Sequence, residues 1–269
     1  AVSAAYQIGT GPAIQNPVTG WGAGYWGLGT WGVGLATADT LRLWTQSNFG
    51  EDLVFGPRGG GLYYWDTSAG VTTRAVDVTT MMGASDVPVA QNNIMVSDVS
   101  RFVLLFGCNP IGSSTLDTML VRWSDQEDIT MWTPTATNQA GDLRISHGSE
   151  IVTALQSRQE IIVWTDTSIY SMQYLGAPVV WGATLLGDNI SIISPNSAVF
   201  ASGIAYWMGD DKFYFYDGRI NTLPCSLREF VFSDLNKQQV DQVFCSTVEQ
   251  YNEVWWFYCS SSSDVVDRY

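Results

Sequence analysis

Ile161-Ile162-Val163-Trp164-Thr165-Asp166 is a short apolar strand that ends on a tryptophan and enters an acidic turn. The chain repeats this phrase. Leu62-Tyr63-Tyr64-Trp65-Asp66 and Val121-Arg122-Trp123-Ser124-Asp125 precede it, and Ile204-Ala205-Tyr206-Trp207-Met208-Gly209-Asp210 and Asn252-Glu253-Val254-Trp255-Trp256-Phe257-Tyr258 follow. Trp65, Trp123, Trp164, Trp207 and Trp256 lie 58, 41, 43 and 49 residues apart. Intervals of about 40–50 residues suit a four-stranded propeller blade. The expectation is an all-β, β-propeller-like array of antiparallel blades.

Working outward, period-2 apolar runs bounded by Gly, Asp, Asn and Ser read as further strands. They cover Leu41–Trp44, Asp52–Phe55, Phe102–Phe106, Thr118–Trp123, Glu150–Leu155, Ile169–Tyr174, Ala198–Phe200, Phe213–Tyr216 and Gln242–Cys245. Gly56–Gly61 reads as a hairpin turn, and Asp142–Tyr174 reads as one complete blade. Ser233–Val240 reads as one short helix, with Ser233 as its N-cap. Residues 1–39 differ from the propeller-like region, residues 40–269. Within them Trp21, Trp26 and Trp31 recur every five residues among glycines, a spacing that fits neither helix nor strand. Glycine frees the backbone while indoles supply contact area, so these three tryptophans are candidates for an interface arm. The ends, Ala1 without a Met and Tyr269 inside a strand pattern, read as those of a piece of a longer protein.

Charged residues make up 14% of the chain, against about 25% in average proteins. Aromatic residues reach 13%, with 12 Trp. That balance suits a surface hidden in an assembly. The formal charge of −14 argues against binding nucleic acid through phosphate contacts. It suits either simple solubility or a wall that repels a polyanion. No apolar run reaches the roughly 18 residues of a membrane span. Cys108, Cys225, Cys245 and Cys259 match no zinc spacing and read as buried free thiols, with a Cys245–Cys259 disulfide as the alternative.

Catalytic candidates are few. The two G-x-G-x-x-G matches at Gly22–Gly27 and Gly27–Gly32 lack the strand and helix of a dinucleotide site. His147 is the only histidine, sits in a polar turn and has no nucleophile elbow beside it. Glu51-Asp52, Asp125-Gln126-Glu127-Asp128 and Asp210-Asp211 are the acidic clusters, each at a strand end where acidic turns are expected anyway. Asp125, Glu127 and Asp128 offer oxygen ligands for calcium without EF-hand spacing. No catalytic residue, cofactor or metal site is therefore assigned.

Several phrases together carry a resemblance. They are Arg42-Leu43-Trp44 with Asn48-Phe49-Gly50-Glu51-Asp52-Leu53, Gly59-Gly60-Gly61-Leu62-Tyr63-Tyr64-Trp65-Asp66, and Arg122-Trp123-Ser124-Asp125 with Trp132-Thr133-Pro134. Trp164-Thr165-Asp166-Thr167-Ser168, Phe213-Tyr214-Phe215-Tyr216-Asp217-Gly218-Arg219 and Glu253-Val254-Trp255-Trp256-Phe257-Tyr258 continue the series. From about Leu41 to Tyr269 it resembles virion structural proteins of tailed bacteriophages, closest to the tail nozzle (tail tubular protein B, or tail hub) of short-tailed phages. The resemblance implies a non-enzymatic subunit in a ring, a hexamer, below the portal and adaptor. Such a ring encloses the DNA-ejection conduit, lets genomic DNA pass without specific binding and supports tail fibres. The alternative, drawn from exposed aromatics and available carboxylates, is a carbohydrate-binding or depolymerising propeller that recognises a host surface.

Overall fold

The computed structural model describes residues 11–15, 41–98 and 100–269; Trp21, Trp26 and Trp31 lie outside the described residues. Four consecutive four-stranded antiparallel sheets and one two-stranded sheet follow in chain order. The first holds β1 (Trp44–Phe49), β2 (Asp52–Pro57), β3 (Tyr63–Trp65) and β4 (Val76–Asp77). The second holds β5 (Gln91–Val96), β6 (Val103–Cys108), β7 (Asp117–Trp123) and β8 (Gly141–Arg144). The third holds β9 (Ile151–Gln156), β10 (Ile161–Thr165), β11 (Ser168–Gly176) and β12 (Val180–Asp188). The fourth holds β13 (Ala198–Ala201), β14 (Ile204–Met208), β15 (Phe213–Tyr216) and β16 (Ile220–Leu223). After helix α1 (Arg228–Asp234), β17 (Phe244–Val248) and β18 (Glu253–Phe257) pair as a hairpin. Each sheet is a meander of adjacent strands, which is the blade of a propeller. The first strands, β1, β5, β9, β13 and β17, contact one another in succession and so lie along the inside of the array.

The core lies between blades. Val54 and Leu62 of the first blade pack with Ile94, Val103 and Leu105 of the second. Phe106, Val121 and Trp123 meet Ile151, Val163 and Met172 between the second and third. Trp164 and Ile162 meet Trp207 and Ala205 between the third and fourth. Met208 and Phe213 then pack on Leu235, Val243 and Tyr258 of the last unit. A blade alone could not bury both of its faces, so stacking neighbours supplies the burial that drives folding.

The repeated tryptophan does not keep one place in the blade. Trp65 and Trp123 sit on third strands, whereas Trp164, Trp207 and Trp256 sit on second strands. Both strands are central in a four-stranded sheet, so an indole on either can reach a neighbouring blade. The 41-residue interval therefore spans less than one blade, and only the other intervals compare like with like. The expected blade at Asp142–Tyr174 is corrected in the same sense. Gly141–Arg144 pairs with β7 and closes the second blade. The third blade starts at Ile151 and ends with β12, a strand absent from the sequence expectation. Backbone pairing across a hairpin, rather than spacing along the chain, decides which blade a strand joins.

Local boundaries moved as well. The first strand runs Trp44–Phe49 instead of Leu41–Trp44, and Phe244–Val248 replaces Gln242–Cys245. The helix is Arg228–Asp234, not Ser233–Val240; Ser233 lies in its last turn, with its hydroxyl donating to the Phe230 carbonyl. Val231 and Phe232 explain the shift, because they pack on the last core while Lys237 and Gln238 have no apolar face to bury. The Cys245–Cys259 alternative falls away, as all four cysteines are free thiols.

The ends of the array approach each other. Arg42 donates its backbone N–H to the Pro12 carbonyl at 3.1 Å. Gln239, in the last unit and 2% exposed, accepts from the Gln15 N–H at 3.0 Å. Its amide returns a bond to the Gln15 carbonyl at 2.8 Å. A side-chain amide here copies the two-bond pattern of a strand pair, tying residues 11–15 to the unit farthest from them in sequence.

Candidate functional site

Three of the acidic residues singled out from the sequence, Asp66, Asp125 and Asp128, hold local turns. Asp66 accepts from the Ser68 N–H at 2.8 Å, and Asp128 from the Thr130 N–H at 2.8 Å and its hydroxyl at 2.6 Å. Asp125 accepts from the N–H groups of Gln126 and Gln139, at 2.9 and 2.8 Å. Asp166 takes both the N–H and the hydroxyl of Ser149, at 2.8 and 2.6 Å. The bonds of Asp66 and Asp128, and that of Asp125 to Gln126, are the local ones Asp supplies at a turn, whereas Asp125 to Gln139 and Asp166 to Ser149 pin segments 14 and 17 residues away. Glu127 reaches Arg101 at 3.8 Å, and Asp211 lies 3.7 Å from Lys212 and 4.0 Å from Arg228. Exposed His147 donates its backbone N–H to the Tyr170 hydroxyl. Among the described residues no three His, Cys, Asp or Glu side chains are grouped to hold a metal ion, so Asp125, Glu127 and Asp128 do not form a calcium cradle.

The polar cluster that the fold does assemble was not singled out in advance. Arg58 follows β2, and its guanidinium reaches across the inner strands. It donates to the Val152 carbonyl at 2.8 Å, to the Asn92 carbonyl at 3.4 Å and to the Glu150 carboxylate. Glu150 also accepts from the Asn92 amide at 3.2 Å. Beside it the Asn93 amide donates to the Thr153 hydroxyl at 2.9 Å. Asp241 of the last unit completes the group. Burial pushes its carboxyl up, Arg58 opposes that shift and Glu150 adds to it. One cation thus bridges the first three blades and attracts the last unit. Charge-assisted bonds in a partly dry site are stronger than neutral ones. This is a clasp at the axis, since both terminal nitrogens of the Arg58 guanidinium donate to the protein itself.

The only early signal for this cluster was Gln91-Asn92-Asn93 at the head of β5. All six residues of β5 are buried, yet its polar start conceals it as a core strand. Each of the three amide NH2 groups finds its own acceptor, in Pro57, Glu150 and Thr153, so the polar edge can be buried.

Acid should weaken this structure, and the sign follows from the carboxylates. The Tyr64 hydroxyl, with the Thr67 N–H, holds Asp52 below its ordinary range. Arg144 does so for Asp117, Ser168 with Asn189 for Asp188, and Ser260 for Asp267. Burial works against Asp166, but bonds from Ser149 and Glu150 outweigh it and lower that group too. A group lowered by folding binds fewer protons folded than unfolded. Its contribution is complete above about pH 4 and is lost as pH falls through the folded value. Asp241 is shifted upward and acts in the opposite direction. Melting temperature is expected to stay level from about pH 7 to 5 and to drop below about pH 4; a rise on acidification would contradict the majority sign.

No described protein family and no curated protein sequence matches the chain. Solved structures resemble it only loosely. The extracellular domain of a hybrid two-component system from B. thetaiotaomicron is 14% identical with a TM-score of 0.48, over 86% of this chain and 27% of that one. YCF48 bound to a D1 peptide is 11% identical with a TM-score of 0.44, over 84% and 64%. BamB from Moraxella catarrhalis is 14% identical with a TM-score of 0.39, over 66% and 48%. This chain therefore spans less than two thirds of the length of each. The blade architecture described above rests on the sheet topology itself.

Proposed function

We propose that this chain is a non-enzymatic structural subunit of a bacteriophage tail, of the nozzle or hub type. One observation carries the reading beyond the sequence resemblance. Within the resembling phrases, Trp123, Trp164 and Trp207 are inter-blade packing anchors, Asp66 and Asp125 hold local turns, and Asp166 ties its turn to Ser149. The tryptophans hold blades together and these carboxylates are engaged in structural hydrogen bonds, as befits a scaffold. Large exposed apolar side chains support an assembled state: Leu227, Phe230 and Tyr251 are 63%, 61% and 65% exposed. Such groups gain most when a neighbour covers them. In this reading copies form a ring, a hexamer, between the portal-adaptor and the tail fibres, and genomic DNA passes through it. The charge of −14 suits a conduit that does not retain DNA.

The test is placement. Purified full-length protein is expected to sediment as a multi-copy ring, and a reconstruction of the virion is expected to put its density in the tail. A monomer at every concentration, together with no copy in tail density, would sink the proposal.

A further inference from the structure

The last unit is a two-stranded hairpin standing beside a four-stranded blade, so the outer part of the fourth blade has no matching strands opposite it among the described residues. A cavity of about 740 Å³ lies there, between the fourth blade and the β17–β18 hairpin. That volume falls within the roughly 300–1,000 Å³ of small-molecule sites. Tyr206 of β14 and Trp256 of β18 give it aromatic walls. Thr247, Glu249, Asn252 and Glu253, from the end of β17 through the hairpin turn, give it a polar rim.

Three features narrow the ligand. The first is the state of the polar groups: among the described residues, the Tyr206 and Thr247 hydroxyls, the Glu249 carboxylate and the Asn252 amide have no protein hydrogen-bond partner. The second is orientation. The Trp255 indole N–H donates to one Glu253 oxygen at 2.8 Å and so holds that carboxylate on the face of β18 opposite Trp256, which leaves Thr247, Glu249 and Asn252 as the rim beside the aromatic walls. Asn252 is held at φ 55, with its backbone N–H bonded to the Glu249 carbonyl at 3.2 Å. The third is charge: carboxylates are present, and no Lys, Arg or His lines the cavity. An anion would be repelled. A purely apolar ligand would strand the rim groups without partners, at a penalty that disfavours it. A ligand with both an apolar face and many hydroxyls matches aromatic walls and an uncharged-plus-acidic rim.

We infer that this cleft binds a neutral saccharide, with pyranose C–H faces against Tyr206 and Trp256 and hydroxyls on Thr247, Glu249 and Asn252. This site is independent of the tail assignment. A subunit absent from virions could still bind sugar, and a tail subunit could fail to, so the two tests fail separately.

The experiment is saturation-transfer NMR followed by titration calorimetry on the intact chain. The probes are chitobiose, cellobiose and lactose, with sialic acid and choline as an anionic and a cationic comparison. Transfer to ring protons of at least one neutral disaccharide is expected, and none to sialic acid. Thr247→Val, Glu249→Gln and Asn252→Gly should each weaken binding, by up to about tenfold for the loss of one hydrogen bond. Glycine accepts the positive φ at position 252, and the other two changes are nearly isosteric, so folding is preserved. An unchanged melting temperature in each variant checks this. The inference is overturned if no neutral sugar binds at millimolar concentration, if choline binds in their place, or if all three variants bind as the parent does.

Discussion

Trp207→Ala is expected to cost about 3–5 kcal/mol of folding stability, the range for removing a large aromatic from a core. Trp207 is fully buried between the third and fourth blades. Its ring meets Trp164 edge-on at 5.4 Å and stacks on Tyr214 at 5.3 Å. The neighbours belong to rigid sheets on both sides, so the space left by an indole cannot collapse fully. The Trp207 Nε1 also lacks a hydrogen-bond partner. Trp207→Phe should therefore be much milder than Trp207→Ala, because it removes an unsatisfied N–H along with part of the ring. Urea denaturation of the two variants measures the difference. A double-mutant cycle with Trp164→Phe should return a coupling of about 0.5–1.5 kcal/mol. If Trp207→Ala lost less than about 1 kcal/mol, inter-blade packing would not be the main source of stability that the cores imply.

Arg122→Met is expected to lose about 3 kcal/mol, through polar groups rather than packing. Arg122 is 1% exposed and forms no ion pair among the described residues. Burial lowers its guanidinium from its ordinary value, with Cys108, Asp142 and Asp86 acting in the other direction. Its donors run instead to backbone carbonyls: Asp86 at 2.8 Å, Asn109 at 3.1 Å and Trp132 at 3.4 Å. Those carbonyls come from three loop segments that cover the second blade. Methionine fills similar volume and leaves the three acceptors without a donor. Lysine keeps the charge, but its compact ammonium cannot span the same fork of acceptors, so Arg122→Lys should also be destabilised. The check is chemical denaturation, combined with hydrogen exchange at residues 84–90 and 129–134. Exchange there should rise before it does in the third and fourth blades. Full stability in Arg122→Met would mean that water replaces the guanidinium at little cost.

These two residues also mark how far the sequence could be read. Trp207 stood out because an isolated indole at the end of an apolar strand has few uses other than burial. Arg122, inside Val121-Arg122-Trp123, carries no local mark that sets it apart from the other arginines. Nothing in its immediate neighbours says that loops from Asp86, Asn109 and Trp132 converge on it. The same holds for Arg58, which sits beside glycines in a turn and becomes the axial clasp only when Glu150 and Val152 arrive from the third blade. The cleft at Tyr206 and Asn252 likewise needs the last hairpin to stand against the fourth blade.

By itself the sequence determined the all-β architecture, the approximate blade length and the role of acidic turns, because alternation, turn chemistry and aromatic spacing act over a few residues. Only the tertiary structure decided which strands share a blade, that Trp65 and Trp164 occupy different strands of their sheets, that polar Gln91-Asn92-Asn93 opens a buried strand, and that Gln15 meets Gln239. Each of these depends on hydrogen bonds and contacts between residues far apart in the chain, whose free energy exists only after the blades have stacked.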